Sequence, residues 1–176
     1  MMGGRMSGGA TGNSMMMGFG GSSGCGRYGI QAFGISLSMS DPTGNFGFPV
    51  VDLAPAAASS PEAAVRFLVG QLVHSGRLQP MHADRVVCQV LQRESRFSTA
   101  VGGGFALPHT KSDVVSEVLG IVGRSTVALT WPGALDAQPV RMVWLLVTPE
   151  SAPDASRRAL QAVAREVSKL KGRTHE

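Results

Sequence analysis

The chain has 176 residues, 43% of them hydrophobic, and a net charge of +4 from 16 Lys and Arg against 12 Asp and Glu, enough for one domain with a real core and short of two. Its basic residues are scattered singly rather than gathered into a stripe, which argues against a nucleic-acid binder. No apolar run approaches the roughly 20 residues of a membrane span, no compact apolar core of a signal peptide opens the chain, and Cys25 and Cys88 form no CxxC pair, so a reduced, cytoplasmic protein without direct membrane insertion is expected.

Residues 1–50 are a mixture of Gly, Met and Ser in which Arg5, Arg27 and Asp41 are the only charged residues. Such a segment buries too little apolar surface to offset its ordering entropy, so it is expected to be disordered, with the folded domain over 51–176. Met15, Met16 and Met17 lack the repeated spacing and the accompanying histidine of a copper site. An ordinary protein sequence begins at "MSDPTGNFGFPVVDL", which raises Met39 as an alternative start.

Ser60 suits a helix N-cap, Pro61 the first helical position and Glu62 the positive end of the dipole, while Ala64, Val65, Leu68, Leu72 and Val73 recur at helical spacing up to Gly76. A second helix is predicted from about His82 to Arg93, with Val86, Val87, Val90 and Leu91 as its apolar stripe, Cys88 a buried inert thiol among them, and Arg93 and Glu94 at its end. After a glycine loop, "FAL" reads as a strand edge stopped by Pro108, and His109 follows at once. "VLGIVG", "TVALTW" and "VRMVWLLV" read as strands, the last apolar on both faces and therefore central. Asp154 to Leu170 closes the chain as an amphipathic helix. Helices on a mixed sheet give an α/β fold, an αβα sandwich.

The residue types that carry chemistry meet in "RESRFSTAVGGGFALPHTK", residues 93–111. Neutral imidazole, with an ordinary pKa of about 6.5, is a nucleophile near neutrality and a good phosphoryl acceptor. Gly102, Gly103 and Gly104 allow backbone amides to approach an anion, and Arg93 can clamp phosphoryl oxygens. On the residues alone, three glycines before a Pro-His pair read first as a plain turn beside a satisfied surface or core histidine, and spacing alone does not overturn that reading. His74, His82 and His175 lack a ligand partner at helical spacing, so no metal or other cofactor is called for.

The same segment resembles the active-site signature of the type 2 enzyme IIA domains of the bacterial phosphotransferase system, the mannitol, fructose and nitrogen-regulatory branch. The residues that match are Arg93 and Glu94, Ser98 and Thr99, Val101 and Gly102, Gly104, then Ala106, Leu107, Pro108 and His109, and the likeness extends over "ALDAQPVRMVWLLVTP". It implies that His109 accepts a phosphoryl group from the carrier HPr and passes it to a IIB component, with Arg93 beside the phosphohistidine and Thr99, Gly102 and Gly104 shaping the phosphoryl pocket. A nitrogen-type regulatory module, whose partner binding follows or ignores His109 phosphorylation, is the alternative that the same resemblance allows.

The sequence departs from the family pattern at Phe105 and Thr110, and again in the last helix. Sugar-type members carry a second histidine near the position of Ala159, where this chain offers only Arg157 and Arg158 as nearby charge. Family members also continue with a further helical segment where this sequence ends, from which exposed apolar surface or a partner is expected.

Overall fold

The computed structural model describes residues 48–173. The expectations made for residues 1–47, including disorder, the Met15–Met17 run and a start at Met39, lie outside the described residues.

Helix formation follows local chemistry closely. The Ser60 hydroxyl accepts from the Ala63 backbone N–H at 3.1 Å and starts α1 (Pro61–His74) with Pro61 at its first position. The helix ends at Ser75, and Gly76, at φ +71°, takes the left-handed turn that closes it. Replacing Ser60 with alanine is expected to lower stability by about 1 kcal/mol in urea unfolding, with no effect on the site described below. The second helix, α2 (Ala83–Arg96), runs three residues past its predicted end at Arg93. Its last turn has no apolar periodicity to betray it, but it places Arg93 and Arg96 on the same side. Cys88 is half-buried on α2 rather than buried, and its sulfur is not a free thiol.

Six strands form one mixed sheet: β1 (Val50–Asp52), β2 (Ala100–Gly102), β3 (Phe105–Ala106), β4 (His109–Ser112), β5 (Leu119–Leu129) and β6 (Val140–Pro149). The order is β1-β5-β6-β3-β2, with β4 also on β6. The doubly apolar "VRMVWLLV" is the central strand, as its composition predicts. The two strands predicted from "VLGIVG" and "TVALTW" are one continuous β5. Between Arg124, opposite Met142, and Leu129, opposite Val140, five steps on β5 meet two on β6. Ser125 accommodates this bulge, its hydroxyl accepting from Val127 N–H and donating to Val127 O. The short strands β1, β2 and β4 have too few residues for a periodic signal.

Because strand side chains alternate, β6 supplies both faces: Val143, Leu145 and Val147 pack with α1 and α2, whereas Trp144 packs with Val163 and Val167 of α3 (Pro153–Arg173). Leu68 and Leu72 of α1 are completely buried in the first layer, each contributing about 2 kcal/mol of transfer free energy. Helices on both faces of the sheet make the expected αβα sandwich. Among the described residues, the exposed large apolar side chains are Met81, Phe97, Val127 and Leu135. No described helix is long and apolar enough to cross a membrane.

Candidate functional site

Strands β3 and β4 run end to end along the same edge of β6, with Phe105 opposite Met142 and His109 opposite Leu146. Leu107 and Pro108 interrupt them. Pro108 has no N–H to give to a ladder, but its carbonyl accepts from Leu146 N–H at 3.0 Å, so the edge stays attached to β6 through the break. Leu107 N–H turns the other way, to the carbonyl of Thr99 at 3.0 Å. This leaves Leu107 O beside the imidazole, 2.8 Å from His109 Nδ1. A carbonyl oxygen only accepts, so Nδ1 carries a proton, and in the neutral ring the lone pair lies on Nε2. The backbone thereby fixes the tautomer of a half-buried histidine and leaves one nitrogen free to react.

That ring borders a cleft of about 380 Å³ lined by Gln89, Gln92, Arg93 and Arg96 of α2, His109, Thr110 and Lys111 of β4, Thr148 of β6 and Leu160 of α3. The helical residues recur at i, i+3, i+4 and i+7, one face of α2, and Lys111, two residues beyond His109, shares its side of the strand. No carboxylate lines the cleft, while two guanidinium groups and an ammonium do, so its field favours an anion. Arg93 Nη1 donates to the Phe97 carbonyl at 3.0 Å, which closes the end of α2 and leaves the other guanidinium N–H groups available.

Behind the cleft, Glu94 joins three segments. Its Oε1 accepts from Thr99 N–H at 2.8 Å and from the Trp131 indole N–H at 2.7 Å, and its Oε2 accepts from the Thr99 hydroxyl at 2.5 Å. Thr99 and Trp131 are both buried. Thr99, assigned from the resemblance to the phosphoryl pocket, therefore does not line the cleft: its hydroxyl belongs to Glu94, and it reaches His109 only through its carbonyl and Leu107.

Gly102 and Gly104, the other two residues assigned to that pocket, are also not at the cleft. Gly102, Gly103 and Gly104 all have φ between +66° and +83° and turn the chain from β2 into β3. They border a separate depression of about 730 Å³ with Leu135, Asp136, Arg141 and Lys171. Asp136 caps the turn, accepting from Gly103 N–H at 2.6 Å and from Gln138 N–H at 3.1 Å. These backbone donors, Gly103 first, hold its carboxyl below the ordinary 3.8, with the nearby Lys171 adding to the effect. The folded value being depressed, this contribution is present above pH 3.8 and lost only as the pH falls through the lower, folded value. A Cβ on Gly102 would meet Asp136 Oδ2 at 2.9 Å, whereas one on Gly76 would meet nothing within 4 Å. Gly102→Ala is accordingly expected to destabilise by about 2–3 kcal/mol and Gly76→Ala by about 1 kcal/mol in parallel urea titrations.

Nor does the last helix supply the charge expected near Ala159. Arg157 pairs with Asp154 at 2.7 Å on the surface, Arg158 is exposed outside the cleft, and α3 presents Leu160 to the cavity. The structure thus places His109 and Arg93 on one cleft, with Arg96 and Lys111 beside them. Their signals were present in the spacing from Arg93 on a helix continued to residue 96 and from His109 on a strand continued to residue 112.

Residues 50–171 match the family model described as "Phosphoenolpyruvate-dependent sugar phosphotransferase system, EIIA 2". The chain is 29% identical over 104 residues to the PTS system fructose-specific EIIA component of Haloferax volcanii, covering 59% of this chain and 66% of that protein. To a nitrogen regulatory protein of Bradyrhizobium diazoefficiens it is 39% identical over 83 residues, covering 47% and 54% respectively. It thus spans less than two thirds of the length of either relative. In fold it is similar to nitrogen regulatory protein IIA-Ntr from Neisseria meningitidis, with a TM-score of 0.53 at 24% identity over 72% of this chain and 77% of that one. It is similar also to the Escherichia coli complex of enzyme IIAMTL and phosphorylated enzyme IIBMTL, with a TM-score of 0.50 at 18% identity, covering 65% and 81%.

Proposed function

Because the chain belongs to the type 2 enzyme IIA family of the phosphoenolpyruvate-dependent sugar phosphotransferase system, we propose that His109 is its phosphoryl-accepting residue, charged by phospho-HPr and discharged to a IIB component. The observation that carries this reading is the 2.8 Å contact from His109 Nδ1 to Leu107 O, which leaves Nε2 as the nucleophile at the edge of an acid-free cationic cleft.

In the transfer, the Nε2 lone pair attacks the phosphorus of the donor phosphohistidine. A new N–P bond forms as the donor's N–P bond breaks, and that electron pair returns to the donor nitrogen. The Nδ1 proton stays in its hydrogen bond to Leu107 O, so only the phosphoryl group changes hands. Arg93 compensates charge on the equatorial oxygens, the main demand of a reaction that is mostly positioning and electrostatics. Thr99 acts through the Glu94 lock, and Gly102 and Gly104 act through the turn that sets β3 against β6. No metal or other cofactor enters this scheme. The unit that carries it is taken as one cytoplasmic domain over residues 51–176.

A second reading is favoured by the 39% identity to a nitrogen regulatory protein and by an α3 wall that offers Leu160 rather than a titratable group. In it, phosphorylation of His109 alters affinity for a target protein, and onward transfer is slow. The experiment loads the chain from phosphoenolpyruvate, enzyme I and HPr, then chases the label with a IIB domain. Label that moves to the IIB cysteine within seconds supports the carrier. Label that stays on the chain while target affinity changes supports the regulator, and a folded chain that never takes label contradicts the carrier and leaves only a module whose partner binding ignores phosphorylation.

A further inference from the structure

The cleft holds more positive charge than a nucleophile and one arginine require. Arg96 and Lys111 reach it from α2 and β4, neither has a carboxylate partner among the described residues, and no acid lines the cavity to balance them. Like charges gathered without a counter-ion repel one another, and that arrangement is relieved when a dianion arrives. Arg93 already gives one N–H to Phe97 O. The α3 wall contributes an apolar side chain, with Arg157 held by Asp154 elsewhere.

Resting on the phosphoacceptor role of His109, we propose that Lys111 and Arg96 hold the phosphoryl group after transfer, as a permanent two-cation clamp. Lys111 lies two residues along the strand from His109, on the same face, and Arg96 lies one helical turn beyond Arg93. The phosphoryl oxygens on Nε2 are therefore met from both walls. Arginine supplies a planar fork and lysine a compact point charge. Retention of the phosphoryl group is thus set by fixed charge and not by a second titrating ring. A partner must outcompete this clamp to discharge the site, which makes the two cations a control on how long the phosphorylated state lasts.

The test measures the phosphoryl exchange equilibrium between HPr and the full chain, at low and high salt, for the parent, Lys111→Gln, Arg96→Gln and Lys111→Arg. The clamp predicts that each Gln variant is still labelled on His109 but shifts the equilibrium about tenfold toward HPr, with weaker salt dependence, while Lys111→Arg stays within about threefold of the parent. Unchanged melting temperatures identify the effect as local. Gln variants that match the parent in equilibrium and salt dependence overturn the clamp and leave the acceptor role standing. A folded parent that takes no label overturns both.

Discussion

His109→Ala is expected to abolish phosphoryl uptake from HPr, a loss of more than about a thousandfold, while the protein keeps its circular dichroism spectrum and nearly all of its stability. Without Nε2 the cationic cleft has no atom to form the N–P bond, and neither Lys111 nor Arg96 replaces a neutral imidazole as a nucleophile near neutrality. The structural effect is small because the ring is only half-buried and contributes a single hydrogen bond, to Leu107 O, worth about 1 kcal/mol. Electrophoresis of the intact phosphoprotein under neutral conditions, beside urea unfolding, separates the two quantities. Residual stoichiometric labelling of the variant would place the acceptor elsewhere.

The largest structural effect is expected at Glu94. Removing its carboxylate by Glu94→Ala leaves the Thr99 N–H, the Thr99 hydroxyl and the Trp131 indole N–H without the acceptors they have at 2.5–2.8 Å. Thr99 and Trp131 are buried, so water replaces those bonds poorly, and a loss of about 2–4 kcal/mol follows. Glu94→Gln keeps the shape and one acceptor oxygen and should lose about half as much. The link from Thr99 O to Leu107 N–H carries the disturbance to the histidine, so phosphoryl uptake by Glu94→Ala should slow about tenfold even under conditions where the variant is folded. A variant as stable as the parent would mean that the three donors find other partners, and the lock would then have no energetic importance.

Ser60, Pro61 and the apolar stripe of α1 were legible because a cap and a helical period act within a few residues. The central position of β6 was legible because a strand buried on both faces leaves no polar alternation. His109 and Arg93 stood out through the resemblance, and the cleft that joins them was not readable from spacing, because α2 and β4 meet only through packing. Glu94 was visible as a motif residue but not as a lock, since its partners are 5 and 37 residues away along the chain. The glycine triplet misled for the opposite reason: positive φ serves any tight turn, and here the turn is tied to Asp136 and borders a depression separate from the cleft that His109 lines. The bulge at Ser125 hid the continuity of β5 because three polar residues, Arg124 to Thr126, interrupt the apolar run.

The reacting atom proposed for His109 is Nε2, an assignment that rests on the 2.8 Å contact from Nδ1 to Leu107 O. Nitrogen-15 NMR of the imidazole, recorded on the chain before and after loading from phosphoenolpyruvate, enzyme I and HPr, tests it directly. The account predicts phosphorus coupling to Nε2 with the Nδ1 proton still hydrogen-bonded. Phosphorus on Nδ1, or a folded chain in which His109 carries none, would contradict it.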